Sequence, residues 1–254
     1  MMAKTAILML LLTALVGCAD ELEPVSTDTR TELLEWQRGL VLAESTNGQL
    51  EFSAQFVRAQ GAEPEAVFNA FERWQPDLGL DADTCTVMPR LETDHSSYAV
   101  EFIDVGALTL RAADESTTIM GRRLPDYFHE VYGVLYEQSA EMTDAEYTLE
   151  STGGELSLFM TALSFPVAIS PSVVMTADDM VVSWQSANHA MYLDVYGRDR
   201  VHCRLTDDGQ FELPLSLLAG AENVTLRRAT HQTIEIDAFG NVDILATQAA
   251  PLDW

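Results

Sequence analysis

Lysine is all but missing from this chain. Lys4 is the single one among 254 residues, and the other thirteen basic residues are arginines, set against 40 aspartates and glutamates. The formal net charge is −26. A surface of that sign repels nucleic-acid phosphates and anionic headgroups, so no nucleic-acid partner is expected. Two readings of the acid excess stand: binding of divalent cations or cationic ligands, and plain solubility where salt screens the self-repulsion. Cysteine is scarce too, with only Cys18, Cys85 and Cys203.

The usual signatures of chemistry are also missing. There is no Gly-x-Ser-x-Gly elbow and no glycine loop of the phosphate-cradling kind. A Ser–His–Asp triad needs no sequence motif, so the serines, histidines and aspartates exclude nothing. Zinc sites need ligands at tight spacing, but His95, His129, His189, His202 and His231 are scattered. His202 adjoins Cys203, yet neighbours on a strand face opposite ways and cannot readily share a metal. His129-Glu130 lacks a second histidine, because position 133 is Gly133. Asp77, Asp81 and Asp83, or Asp207-Asp208, could offer oxygens to Ca²⁺, but none follows the fixed twelve-residue ligand order of an EF-hand. They are better read as solvated turns. No catalytic residue, metal or cofactor is assigned.

What is present begins at the N-terminus. Lys4 precedes an apolar run of 11 residues, Ala6–Val16, and Asp20 and Glu21 follow closely. A spanning helix needs roughly 20 apolar residues, whereas a short run with a small-residue exit describes a cleaved signal. Leu15-Val16-Gly17-Cys18 resembles the lipobox of bacterial lipoproteins. The resemblance implies a signal peptide over 1–17, acylation of Cys18, and a membrane partner through the lipid. Two or three acyl chains hold a protein to a bilayer almost permanently. Ala19 stands where that family's inner-membrane retention residue would be aspartate, so an outer-membrane address in the cell envelope is expected.

An exported chain meets oxidising conditions. Cys85 and Cys203 could then form a bridge closing a loop of about 118 residues, worth roughly 4–5 kcal/mol in the chain-entropy model, or remain two buried thiols.

Residues 18–37 read as an acidic tether. Ser45-Thr46-Asn47-Gly48 between extended runs predicts a hairpin. Leu50, Phe52, Ala54 and Phe56 alternate with Glu51, Ser53 and Gln55, the period of a half-buried strand. Val67, Phe68, Phe71 and Trp74 fall at helical spacing after Pro64, predicting one short helix over Glu63–Trp74. Short extended segments follow, separated by turn residues such as Asp104 to Gly106, Leu124-Pro125-Asp126 and Gly153-Gly154. After Pro166 the pattern restarts. Met191, Leu193 and Val195 alternate with Tyr192, Asp194 and Tyr196, and Val224–Thr230 and Thr233–Ala238 read as two strands.

Short strands at regular spacing predict a mainly β protein of two β-sandwich-like domains, over 38–165 and 166–254. The layout of the second, with Val182-Ser183-Trp184, resembles immunoglobulin-like or fibronectin type III-like sandwiches. A wider layout running from Asp104-Val105-Gly106 through Gly153-Gly154 and Val182-Ser183-Trp184 to Cys203 and Pro214 resembles uncharacterised bacterial lipoproteins of predicted β-sandwich form, which bring no catalytic residues with them. The function expected is a lipid-anchored envelope protein in a non-enzymatic binding or structural role, its protein or glycan partner unspecified. The rival is a hydrolase of envelope or extracellular polymers, which a cleft of convergent polar groups and perturbed carboxylates would favour. A third reading, an assembly subunit, would need a contiguous exposed apolar patch.

Overall fold

The computed structural model describes residues 34–61, 80–88, 99–113, 115–126, 131–142 and 145–254. The predicted signal peptide with Cys18, the helix over Glu63–Trp74, and Asp77 lie outside them. Residues Leu34–Trp254 form one compact unit, mainly β, in three sheets.

The strands are β1 (Leu34–Thr46), β2 (Gln49–Gly61), β3 (Thr84–Met88), β4 (Ala99–Phe102), β5 (Leu108–Arg111), β6 (Ser116–Ile119), β7 (Arg122–Asp126), β8 (Val131–Glu141) and β9 (Glu146–Ser151). They continue with β10 (Met160–Ser164), β11 (Ser172–Met175), β12 (Asp179–Ser183), β13 (Ala190–Gly197), β14 (Arg200–Leu205), β15 (Gln210–Pro214), β16 (Ala221–Ile236) and β17 (Gly240–Pro251). A 3-10 turn spans Leu215–Leu218.

Ten strands form the main sheet, in the order β3-β14-β13-β16-β17-β1-β2-β4-β8-β7. Its centre joins the two ends of the described chain, since β17 runs parallel to β1 with Val41 opposite Ile244. The sheet therefore takes strands from both sides of residue 166. β1 starts at Leu34, inside the stretch read as tether. The predicted hairpin is the β1–β2 turn, where Asn47 and Gly48 both take positive φ (52° and 79°). That is the backbone a two-residue turn needs to match strand twist.

Two smaller sheets cover one face of the large one. On β10-β9-β5-β6 the side chains of Leu108, Leu110, Ile119, Leu149 and Leu163 meet Val41, Phe52, Phe56, Tyr136 and Ile244 in a first core. On β11-β12-β15, Met180, Val182 and Leu213 meet Met191, Leu193, Val195, Cys203 and Leu226 in a second. Trp184 belongs to this second core. Arg228, 2% exposed, lies on the same covered face of β16. It donates to the carbonyls of Val167 and Gln185 and pairs with Asp207 at 3.6 Å.

Two local expectations are corrected. Leu124-Pro125-Asp126 is not a turn but part of β7. Among the described residues it is an edge strand, hydrogen-bonded on one side only, and proline is tolerated there because few ladder bonds need its missing N–H. Residues 224–238 do not hold two strands, because β16 runs unbroken to Ile236. His231 and Gln232, the break in the apolar pattern, pair with Leu245 and Ile244, so the long β17 template carries the ladder through them.

A candidate ligand site on the second face of the sheet

Strand alternation fixes which side chains leave the cores. On β13, Met191, Leu193 and Val195 point into the second core, so Tyr192, Asp194 and Tyr196 take the opposite face. Register sets their neighbours: Asp194 stands opposite His202 of β14 and Thr225 of β16, and Tyr192 opposite Arg227. On β1, Leu42 and Glu44 fall on this face opposite Leu245 and Thr247 of β17, and opposite Ser53 and Glu51 of β2. Two rows result. One is apolar: Tyr192, Ala229 and Leu245 bury one another, with Leu42 packed on them. The other is ionic.

Asp194 is the hub of the ionic row. It is 1% exposed and accepts hydrogen bonds from His202 Nδ1 (2.9 Å), Arg200 Nη2 (3.1 Å) and Arg227 Nη1 (2.7 Å). Burial alone would raise its carboxyl, but the His202 hydrogen bond and the charges of Arg227, His202 and Arg200 outweigh it and hold the group below the ordinary aspartate range. Arg227 continues the row to Glu44, through Nε (2.6 Å) and Nη2 (3.3 Å). Burial lowers the guanidinium, but Glu44 and Asp194 reverse this and raise it overall. Thr247 donates a further hydroxyl to Glu44. The Tyr192 ring stacks on His202 with centroids 5.6 Å apart, and Arg200 and Arg227 lie over Tyr196. Burial raises the Tyr196 phenol, so it stays neutral.

These rows line a cavity of about 480 Å³, with Met88 at the β3 end and Glu51, Ser53, Glu137 and Ser139 at the β2–β8 end. That volume lies within the range of small-molecule sites.

The remaining sequence candidates fall elsewhere. Cys85 and Cys203 are bridged, opposite each other on β3 and β14. Cys203 faces the second core and His202 the cavity. Asp207 accepts from Trp184 Nε1 and from the backbone N–H of Ala187 and His189, Asp208 accepts from the Gln210 N–H, and Asp83 accepts from Thr206. All three act as turn and loop fasteners. Among the described residues, no group of three or more His, Cys, Asp or Glu side chains is placed to hold a metal ion. None of their helices is long and apolar enough to cross a membrane.

The cavity residues were missed from sequence because they sit on eight strands spread along the chain from β1 to β17. One local signal existed: Tyr192, Asp194 and Tyr196 put large or charged side chains on the strand face opposite Met191, Leu193 and Val195. No family model matches the chain, and no curated protein or solved structure matches it.

Proposed function

We propose that this chain is a lipid-anchored protein of the cell envelope, on the outer membrane, that binds a small ligand in the cavity lined by Asp194 and Leu245 and performs no chemistry on it. The lipobox-like Leu15-Val16-Gly17-Cys18 supports the anchor. The β11-β12-β15 layer over β13 and β14, with Trp184 between them, is read as the immunoglobulin-like portion expected of residues 166–254. Binding rests on one observation: a cavity of about 480 Å³ whose floor is an internally paired ionic row beside an apolar row. Groups already locked together give a floor that needs little reordering when a ligand arrives.

The cavity with converging polar groups also gives the hydrolase reading one supporting observation. Against it stands the state of the central carboxylate. An acid or base catalyst works best with a pKa near the working pH, whereas Asp194 is pushed down and its oxygens are engaged by three donors.

Two experiments test the reading. The Cys18→Ser variant should move from the detergent-extracted membrane fraction to the soluble one; a wild-type protein already freely soluble would refute the anchor. For the cavity, a small-molecule library is screened by thermal shift on wild type and on Ser53→Trp, which places an indole in the cavity from a partly exposed strand position. Ligand-dependent shifts of several degrees should vanish in the variant. Shifts that persist would move the site elsewhere. Turnover of ester or glycan substrates by wild type that is lost in Asp194→Asn would make the protein an enzyme.

A further inference from the structure

Building on the ligand-binding reading, we infer that the cavity selects an organic cation: an ammonium or similar monocation with an apolar body, its charge seated at Glu51 and its body along Leu42, Leu245 and Tyr192.

The charges lining the cavity do not cancel. Asp194 is shared by Arg200 and Arg227, and the surplus positive charge of that trio is taken up by Glu44. Those four groups sum to zero. Glu137 is paired with Arg122. Glu51 is different: it is exposed, lines the cavity, and receives the Ser139 hydroxyl (2.6 Å) but no cation among the described residues. Among the described residues, one negative charge is left over.

Its position adds a second argument. Glu51 stands directly opposite Glu44 in the β1–β2 register. Like charges at directly opposed positions destabilise a sheet. Arg227 relieves Glu44 from the far side only, through β17, and leaves Glu51 facing into the cavity. A bound cation would relieve the second member of the pair. The apolar row begins one strand position away, because Leu42 is opposite Ser53, two residues along from Glu51, and adjoins Leu245. A bare metal ion would make no use of that row; an organic cation with an apolar body fits both features. The net charge of −26 concentrates cations near the surface and speeds their encounter.

The test uses three probes of equal chain length, hexylammonium, hexanoate and hexanol, titrated calorimetrically into the purified full chain. Hexylammonium should bind at least tenfold tighter than either of the others, less so at high salt. Glu51→Gln should remove that preference. Glu212→Gln, an exposed acid on β15 away from the cavity, should keep it. Equal loss in both variants would assign the preference to the overall field rather than to Glu51 and overturn the inference. So would equal binding of the three probes, or a preference for hexanoate at Arg200, although either result would leave the ligand-binding reading standing. If no probe binds at millimolar concentration and Ser53→Trp behaves as wild type, both readings fail.

Discussion

Replacing Asp194 by alanine is expected to cost the folded state about 3–5 kcal/mol, the range for breaking one partner out of a buried ion pair. The carboxylate is 2% exposed and joins Arg200, Arg227 and His202 in the cavity floor. Without it, Arg227 keeps Glu44, but the guanidinium of a side chain 18% exposed loses half of its compensation. Asp194→Asn preserves the shape and removes the charge, so a smaller share of the loss is expected there. Urea titration reads both, and an unchanged slope would show that the native and unfolded ensembles are otherwise alike. An alanine variant within 1 kcal/mol of wild type, on the scale of ~1 kcal/mol for an ordinary surface pair, would mean that the row is decoration rather than support.

The same carboxylates set a direction for acid sensitivity. Asp194, Asp207 and Asp243 are all held below the usual 3.8 of an aspartate, each because hydrogen bonds and neighbouring positive charge outweigh the upward push of burial. For Asp243 the donors are Thr233 and Arg38. Stability rises with pH wherever the unfolded chain binds more protons than the folded one. The contribution is therefore complete above about pH 5, beyond the ~3.9 of an unfolded aspartate. It is lost as the pH falls through the lowered folded values. Thermal unfolding midpoints measured from pH 7 to pH 3 should hold down to about pH 5 and then drop. A loss concentrated between pH 5 and 7 would show that other groups dominate.

How much of this was legible in sequence varies with the range of the interaction. The β1–β2 hairpin was legible because Asn47-Gly48 encodes its own turn and Leu50, Phe52, Ala54 and Phe56 declare their face. The unity of β16 was not, because only β17, brought alongside by the fold, holds His231 and Gln232 in the ladder. The pairing of β1 with β17 joins residues some 200 positions apart, and no pattern within either strand names the other. The cavity was least legible of all. Arg227 meets Glu44 across 183 residues of chain, and each taken alone is an ordinary charged residue on a strand. Only the sheet order makes them neighbours.

Long-range connection also underlies the second large effect. Removing the Cys85–Cys203 bridge as Cys85→Ala/Cys203→Ala is expected to cost roughly 4–5 kcal/mol, the chain-entropy value for a closed loop of this length, here a separation of 118 residues. The bridge ties β3, an edge strand paired among the described residues with β14 alone, onto the sheet. Two contributions can be told apart. If the cost lies in the freed unfolded chain, the variant should unfold at lower urea with a steeper slope, because a chain without the cross-link exposes more surface when unfolded. If it lies in native packing, the slope should stay as it is, since Cys203 is fully buried and its sulfur contributes to the second core. Equal midpoints for variant and wild type would refute both accounts. There is a functional corollary. Met88, opposite Arg200 in the β3–β14 register, lines the cavity. Releasing β3 should therefore weaken binding in the cavity at urea concentrations well below the global transition, as expected of a strand held at an edge by one neighbour and one covalent bond.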